Sequence, residues 1–162
     1  MRGVLSDEQA LAELRRFLDV VASPTGDRID RFESLRRALI SLIAIGASEG
    51  REEAYPDDSE PSPDRYRHWS TVVADMWPEL PRVHHVVWPL QRLDSEPELM
   101  AGSTSDHIAD ICREVEESLG VAEQTGTAAG VEQFRWAYRH HLSMGHTGWL
   151  LLALDHTIGG FE

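Results

Sequence analysis

The sequence of 162 residues contains no lysine and no asparagine, so all fifteen of its basic residues are arginine. The absence of lysine excludes a P-loop and Schiff-base catalysis, because both need a lysine amine. The absence of asparagine excludes a catalytic Cys-His-Asn arrangement of the papain type. This usage is typical of a GC-rich coding sequence and indicates a bacterial origin.

Cysteine and long hydrophobic runs are also scarce. Cys112 is the single cysteine, so no disulfide can form within the chain, and its place on an apolar helix face predicts a buried thiol. The longest apolar runs, 38–47 and 149–154, are too short to cross a bilayer. The N-terminal segment becomes acidic at Asp7 and Glu8, before an apolar segment long enough for a signal peptide can form, which argues against such a peptide. We therefore predict a cytoplasmic protein without membrane contact.

Positive charge is in short supply, since 28 acidic residues against 15 basic ones give a net charge of −13. Such a charge repels phosphate backbones, which argues against nucleic acid as a partner and favours a basic protein partner. Segment 49–64 holds seven acidic residues, three prolines and one arginine, Arg51, so we predict a loop there. This loop is either a segment that binds a partner, an interaction strap, or an inert linker, and the sequence does not decide between the two. The sequence does not determine the oligomeric state.

The length predicts a single domain over residues 1–162. Capping residues, Ser6 and Asp27 among them, and apolar periodicity predict about five helices, with a linker at 120–130. Four of them span residues 7–22, 28–47, 103–120 and 131–156. The other one lies between the second and the fourth, and it runs from the Ser62-Pro63 cap to the break at Trp77-Pro78. For Val83–Val87 we predict a short helical turn, although polar and apolar residues alternate weakly over 82–88, as they would in a strand. The expected fold is an all-α, mostly antiparallel bundle with a central C-terminal helix, because that helix is apolar on two faces.

The helix at 103–120 has the clearest pattern. Ser103 is a good N-cap and Gly120 a typical stop, and an apolar stripe runs between them. The opposite face carries Asp106, Asp110, Arg113, Glu114 and Glu117. Charge runs on helices are usually solvent-facing, whereas clustered carboxylates also suit a cation or a basic partner. If this face binds anything, the candidate residues are Asp106, Asp110, Arg113 and Glu117.

Eight histidines raise the question of a metal site. Two ligands share a helix face when they are three or four residues apart, and no histidine pair in the chain has that spacing. We therefore predict no metal and no cofactor, although His141 and His156 could still converge in three dimensions. The serine, aspartate and histidine at 103–107 are too close in sequence to act as a triad, so we predict no catalytic residue.

The motif Gly102-Ser-Thr-Ser-Asp-x-x-Ala-Asp-Ile-x-Arg-Glu resembles that of an uncharacterised all-helical bacterial family, a domain of unknown function. The turn Trp77-Pro-Glu-Leu80, Trp136 and the late helix ending at His156 fit as well, so the resemblance covers about residues 30–156. Members carry a His-Trp-Gly step where Ser143-Met144-Gly145 stands here. The resemblance implies an all-helical fold and transfers no functional residue, because no activity is attached to the family.

The leading functional prediction is a non-catalytic protein-interaction module, of the adaptor or toxin-neutralising type, with an acidic surface. The alternative is a small-molecule- or nucleotide-binding protein, or a hydrolase, with a pocket between helices near Trp136, His140 and His141. Aromatic residues at helical spacing are more often core than pocket, which weakens the alternative.

Overall fold

The computed structural model describes residues 5–49, 62–80, 84–88 and 98–159. The first part of the bundle consists of α1 (Asp7–Ala22), α2 (Arg28–Gly46) and α3 (Pro63–Met76). The second part consists of α4 (Thr104–Thr125), α5 (Thr127–Ala137), a π-helical segment (Tyr138–Leu142), α6 (Ser143–Gly145) and α7 (Thr147–Gly159). The predicted all-α fold is confirmed. Within the described residues, no helix combines the length and apolar character that a membrane span requires.

Three of the predicted helix starts, those of α1, α2 and α4, are confirmed by capping hydrogen bonds. Helix α3 also begins at Pro63 as predicted, without a side-chain bond from Ser62, whereas the helix predicted to begin at 131 begins at Thr127. The Ser6 hydroxyl accepts from the backbone N–H of Gln9, whose side chain bonds back to Ser6. The Asp27 carboxylate caps α2, and Ser103 caps α4 by accepting from the N–H of Asp106. Each cap satisfies a donor that the first helical turn leaves without a backbone partner.

The helical turn predicted at Val83–Val87 is wrong, since the described part of this stretch, residues 84–88, is extended. His84–Trp88 is a strand, β1, which pairs antiparallel with β2 (Glu98–Gly102), so that His84 lies opposite Gly102 and Trp88 opposite Glu98. The valines of β1 favour extended backbone because their branched side chains fit a pleated surface. This ribbon leads directly into the N-cap of α4.

Gly120 does not end α4, and the predicted linker at 120–130 is wrong. The helix continues to Thr125 and ends at Gly126, where φ is 121°, a value that residues with a side chain rarely adopt. A glycine inside a helix costs about 1 kcal/mol relative to alanine. Packing beyond Gly120 offsets this cost, since Ala122 lies against the hydrophobic core.

Aromatic and aliphatic side chains from α1 to α5, from the π-helical segment and from α7 fill the core. Phe17, Phe32 and Phe134 are fully buried, and the buried Trp77 donates its indole N–H to the carbonyl of Val21. Cys112 is fully buried with a free thiol, as predicted. The stretch from α5 to α7 packs against α1, α2 and α4, in agreement with a central C-terminal helix. Helix α4 is equally central, because it contacts α1, α3, α5 and α7.

The predicted helix at 131–156 is interrupted. The backbone N–H of Ser143 bonds the carbonyl of Tyr138, five residues back, which widens one turn into a π-helix, and a turn at His146 separates α6 from α7. Tyr138 also packs on α2: a Cβ built at Gly46 would lie 2.1 Å from Cγ of Tyr138. Only glycine therefore permits this approach.

Gly130 allows α5 to approach α4 closely, and its replacement by alanine is expected to destabilise the fold. An added Cβ would lie 2.4 Å from Cβ of Ala122 and 2.6 Å from the backbone oxygen of Ser118. Overpacking of this kind costs about 1–3 kcal/mol. At Gly148 an added Cβ meets nothing within 4 Å, so Gly148→Ala is the control and should be neutral or stabilising by up to about 1 kcal/mol. Equal losses for both variants in urea unfolding would contradict the close approach.

Candidate functional site

One face of α4 aligns polar side chains toward the C-terminal helical stretch. His107, Asp110 and Glu114 are separated by three and four residues, so they follow one another along the same side of the helix. Helix α4 packs against both α5 and α7. Asp110 and His107 are half-buried and Glu114 is buried, so this face is an interior surface of the bundle.

Two histidines lie opposite this face, His141 in the π-helical segment and His146 at the turn between α6 and α7. They are five residues apart, which in a regular α-helix separates their directions by about 140°. The helix is irregular here, because it leaves the π-helical segment after Leu142 and is interrupted at His146. The two imidazole rings are in edge contact, with centroids 4.6 Å apart.

Asp110, His141 and His146 converge on one point. One oxygen or nitrogen atom from each residue can be chosen so that the three atoms lie within 4.8 Å of one another. Nδ1 of His146 is 3.7 Å from Oδ2 of Asp110. The cluster combines two imidazoles and one carboxylate, which are the common protein ligands of divalent transition metals.

Glu114 holds the ring of His141. Its Oε1 is 2.9 Å from Nδ1 of His141, so the imidazole donates through Nδ1. In the neutral form of His141, this arrangement leaves the lone pair of Nε2 available to an ion. A histidine that binds a metal usually donates its other N–H to a carboxylate, which fixes the tautomer and the ring direction.

Arg113 is a buried cation that joins three carboxylates. Its side chain is 5% exposed, and its guanidinium lies 2.9 Å from Glu114, 3.5 Å from Asp110 and 3.6 Å from Glu117. A buried charge is tolerated only when it is paired and hydrogen-bonded. Arg113 therefore fixes the positions of the carboxylates around His141.

Burial and neighbouring charges shift the pKa values of the cluster in different directions. Burial lowers the pKa of His146 to about 4, and the charges of His141 and Arg113 act in the same direction. The hydrogen bond to Glu114 raises the pKa of His141 above its usual 6.5, against the effect of burial. Burial would raise the pKa of Glu114, but His141 and Arg113 together lower it. His146 is thus neutral near pH 7, the form that binds metals.

The low pKa of His146 predicts an acid-sensitive fold. Between pH 6.5 and 4 the unfolded chain binds a proton at His146 that the folded protein does not bind. The free energy of unfolding therefore decreases as the pH is lowered through this range. Glu114 adds a further loss below its usual value of 4.5, because its folded pKa is lowered. His141 has the opposite effect, because its folded pKa is raised. Its contribution to the free energy of unfolding is complete below pH 6.5 and is lost as the pH rises through that raised pKa.

We expect the melting temperature of His146→Gln to decrease less than that of the wild type when the pH is lowered from 6.5 to 4, measured with a chelator present. His140→Gln is the control, because His140 is exposed, and it should follow the wild type. Parallel curves for all three proteins would show that burial does not hold His146 neutral.

The structure separates the four predicted binding residues into two groups. Asp110 and Arg113 belong to the buried cluster. Glu117 lies at the edge of that cluster, where it pairs with Arg113 and accepts a hydrogen bond from the backbone N–H of Ser62. Asp106 lies apart from it, because it is exposed and accepts a hydrogen bond from the Tyr66 hydroxyl of α3. The solvent-facing interpretation is wrong for Arg113 and Glu114, because α4 is covered on this side by neighbouring helices.

The three residues named for the predicted pocket, Trp136, His140 and His141, have different neighbours in the structure. The ring of His140 packs on Trp136 with centroids 4.9 Å apart, whereas His141 contacts Glu114 and His146. The sequence left open that His141 meets a distant histidine such as His156; in the structure the histidine that it meets is His146. The side chain of His156 lies outside the described part of the structure. The spacing rule missed His146 because it assumes a regular α-helix.

Comparison with models of protein families, with curated proteins and with solved structures found no match to this chain. The resemblance to an uncharacterised helical family stays a prediction. Any function must therefore be inferred from the cluster itself.

Proposed function

We propose that this protein binds a divalent transition-metal ion between α4 and the C-terminal helical stretch, through Asp110, His141 and His146. The observation that carries the proposal is the convergence of one ligand atom from each of these residues within 4.8 Å. They come from two separate parts of the chain, so their approach is a product of the tertiary fold. The proposal departs from the predicted absence of a metal, which rested on α-helical spacing alone.

The surroundings of the three residues suit a cation. Asp110, Glu114 and Glu117 carry negative charge against a single guanidinium, Arg113, so a divalent ion would offset the excess. The bond from Glu114 to His141 supplies the outer-shell contact that orients a ligating imidazole. Two imidazoles and a carboxylate favour zinc, iron, cobalt or nickel over magnesium and calcium, which prefer oxygen ligands only.

Calorimetric titration of the metal-free protein with Zn²⁺ and Co²⁺ tests this proposal. We expect one ion per chain and a loss of affinity of more than about 100-fold for His141→Ala, because removing a ligand costs more than the 10–100-fold typical of an outer-shell change. His140→Ala removes the adjacent, exposed histidine and should leave the affinity unchanged. Equal losses for the two variants, or no binding to the wild type, would contradict the proposal.

The interaction-module function stays a prediction. It rests on the net charge of −13 and on the lack of a recognisable catalytic motif in the sequence. Whether the acidic segment 49–64 contributes stays open, since residues 50–61 lie outside the described structure. The metal proposal does not conflict with it, because a bound ion can stabilise a non-catalytic protein.

A further inference from the structure

His107 lies beside the proposed metal site, one helical turn before Asp110 on α4. Its Nδ1 is 3.2 Å from Nδ1 of His146, and the two rings meet edge to face at 85° with centroids 5.1 Å apart. His146 therefore has one of its ring nitrogens close to two groups of α4, the imidazole of His107 and the carboxylate of Asp110.

The distance between these nitrogen atoms matches that between two ligands of one ion. With zinc–nitrogen bonds of 2.0–2.1 Å and a tetrahedral angle, two ligating nitrogens lie about 3.3 Å apart. The observed 3.2 Å agrees with that separation, and the 3.7 Å between His146 and Asp110 is only slightly longer. His107 is outside the set of three residues whose ligand atoms already lie within 4.8 Å of one another, so its ring must turn toward Asp110 and His141 when the ion binds.

We infer that His107 is the fourth protein ligand of the ion, so that three imidazoles and one carboxylate form a closed tetrahedral site. This inference rests on the proposed function. Its consequence is the role of the ion: a site with four protein ligands keeps no position for substrate and is structural, whereas a catalytic site keeps one open. The ion then joins α4 to the π-helical segment and to the start of α7, and the tetrahedral geometry favours zinc.

Replacement of the ion by Co²⁺ tests this inference, because four-coordinate cobalt absorbs visible light several-fold more strongly than five- or six-coordinate cobalt. We expect strong absorption from the wild type, unchanged by azide. His107→Ala should still bind one Co²⁺ through the other three ligands, but with an affinity lowered by more than about 100-fold, as for any lost ligand, and with several-fold weaker absorption that azide alters. His68→Ala, which removes an exposed histidine of α3, is the control and should behave as the wild type.

The outcomes separate this inference from the proposed function. A wild type that binds Co²⁺ with weak absorption, or a spectrum that His107→Ala leaves unchanged, would overturn the fourth ligand and leave the three-residue site standing. A wild type that binds no ion would overturn the proposed function itself. X-ray absorption of the zinc-loaded wild type needs no variant and should count three imidazoles; a count of two would refute the inference even if His107→Ala failed to fold.

Discussion

Replacement of Arg113 by methionine is expected to destabilise the metal-free protein by about 3–5 kcal/mol, the usual cost of removing one partner from a buried ion pair. The guanidinium is 5% exposed and lies near three carboxylates, which would lose their counter-ion at once. For a domain of this size such a loss lowers the melting temperature by roughly 6–20 °C, at about 2–4 °C per kcal/mol. Arg113→Lys should recover only part of it, since an ammonium cannot reproduce the planar guanidinium fork.

Arg67→Met is the matched control for this prediction. Arg67 also pairs with an aspartate three residues away in its helix, but its side chain is 77% exposed. Exposed pairs contribute about 0.2–1 kcal/mol, so this variant should unfold close to the wild type in urea. A metal ion should restore part of the stability of Arg113→Met, because it offsets the same carboxylates. Similar losses in the two variants would contradict a role for Arg113 as the counter-ion of a buried cluster.

Glu114→Gln is expected to lower the affinity for Zn²⁺ by about 10–100-fold, although Glu114 is not one of the proposed ligands. Its carboxylate lies 2.9 Å from Nδ1 of His141, and an uncharged amide would hold and polarise that imidazole less strongly. The measurement is a competition titration against a zinc indicator at pH 7.

Glu116→Gln is the control for this second prediction. Glu116 is on the same helix but accepts a hydrogen bond from the indole N–H of Trp69 on α3. Its replacement should affect the contact between α3 and α4 and leave zinc affinity unchanged. If both variants lost affinity equally, the effect would come from the acidity of α4 as a whole and not from the hydrogen bond to His141.

Features set by local chemistry could be predicted from the sequence. Ser6, Asp27 and Ser103 cap the helices that they were expected to cap, because a capping bond needs only the side chain and the next three residues. Gly120 was misjudged because its helical cost of about 1 kcal/mol is smaller than the packing gained beyond it. That gain depends on which helix lies alongside, which the local sequence does not show.

The candidate site could be predicted only in part. Asp110 and Arg113 were identified as part of a charged face, but their burial depends on the contact of α4 with α5 and α7. His141 and His146 were dismissed as a pair because five residues do not span a whole number of α-helical turns. The two rings meet where the helix is irregular, between the π-helical segment and the turn at His146, and nothing in the spacing of the histidines signals this irregularity.

The most direct test of a metal centre in this protein is anomalous diffraction from crystals of the zinc-loaded chain, recorded on both sides of the zinc absorption edge. We expect one strong anomalous peak per chain, within bonding distance of Asp110, His141 and His146. A peak confined to exposed histidines such as His68 or His140, with none between α4 and the π-helical segment, would contradict the proposed function.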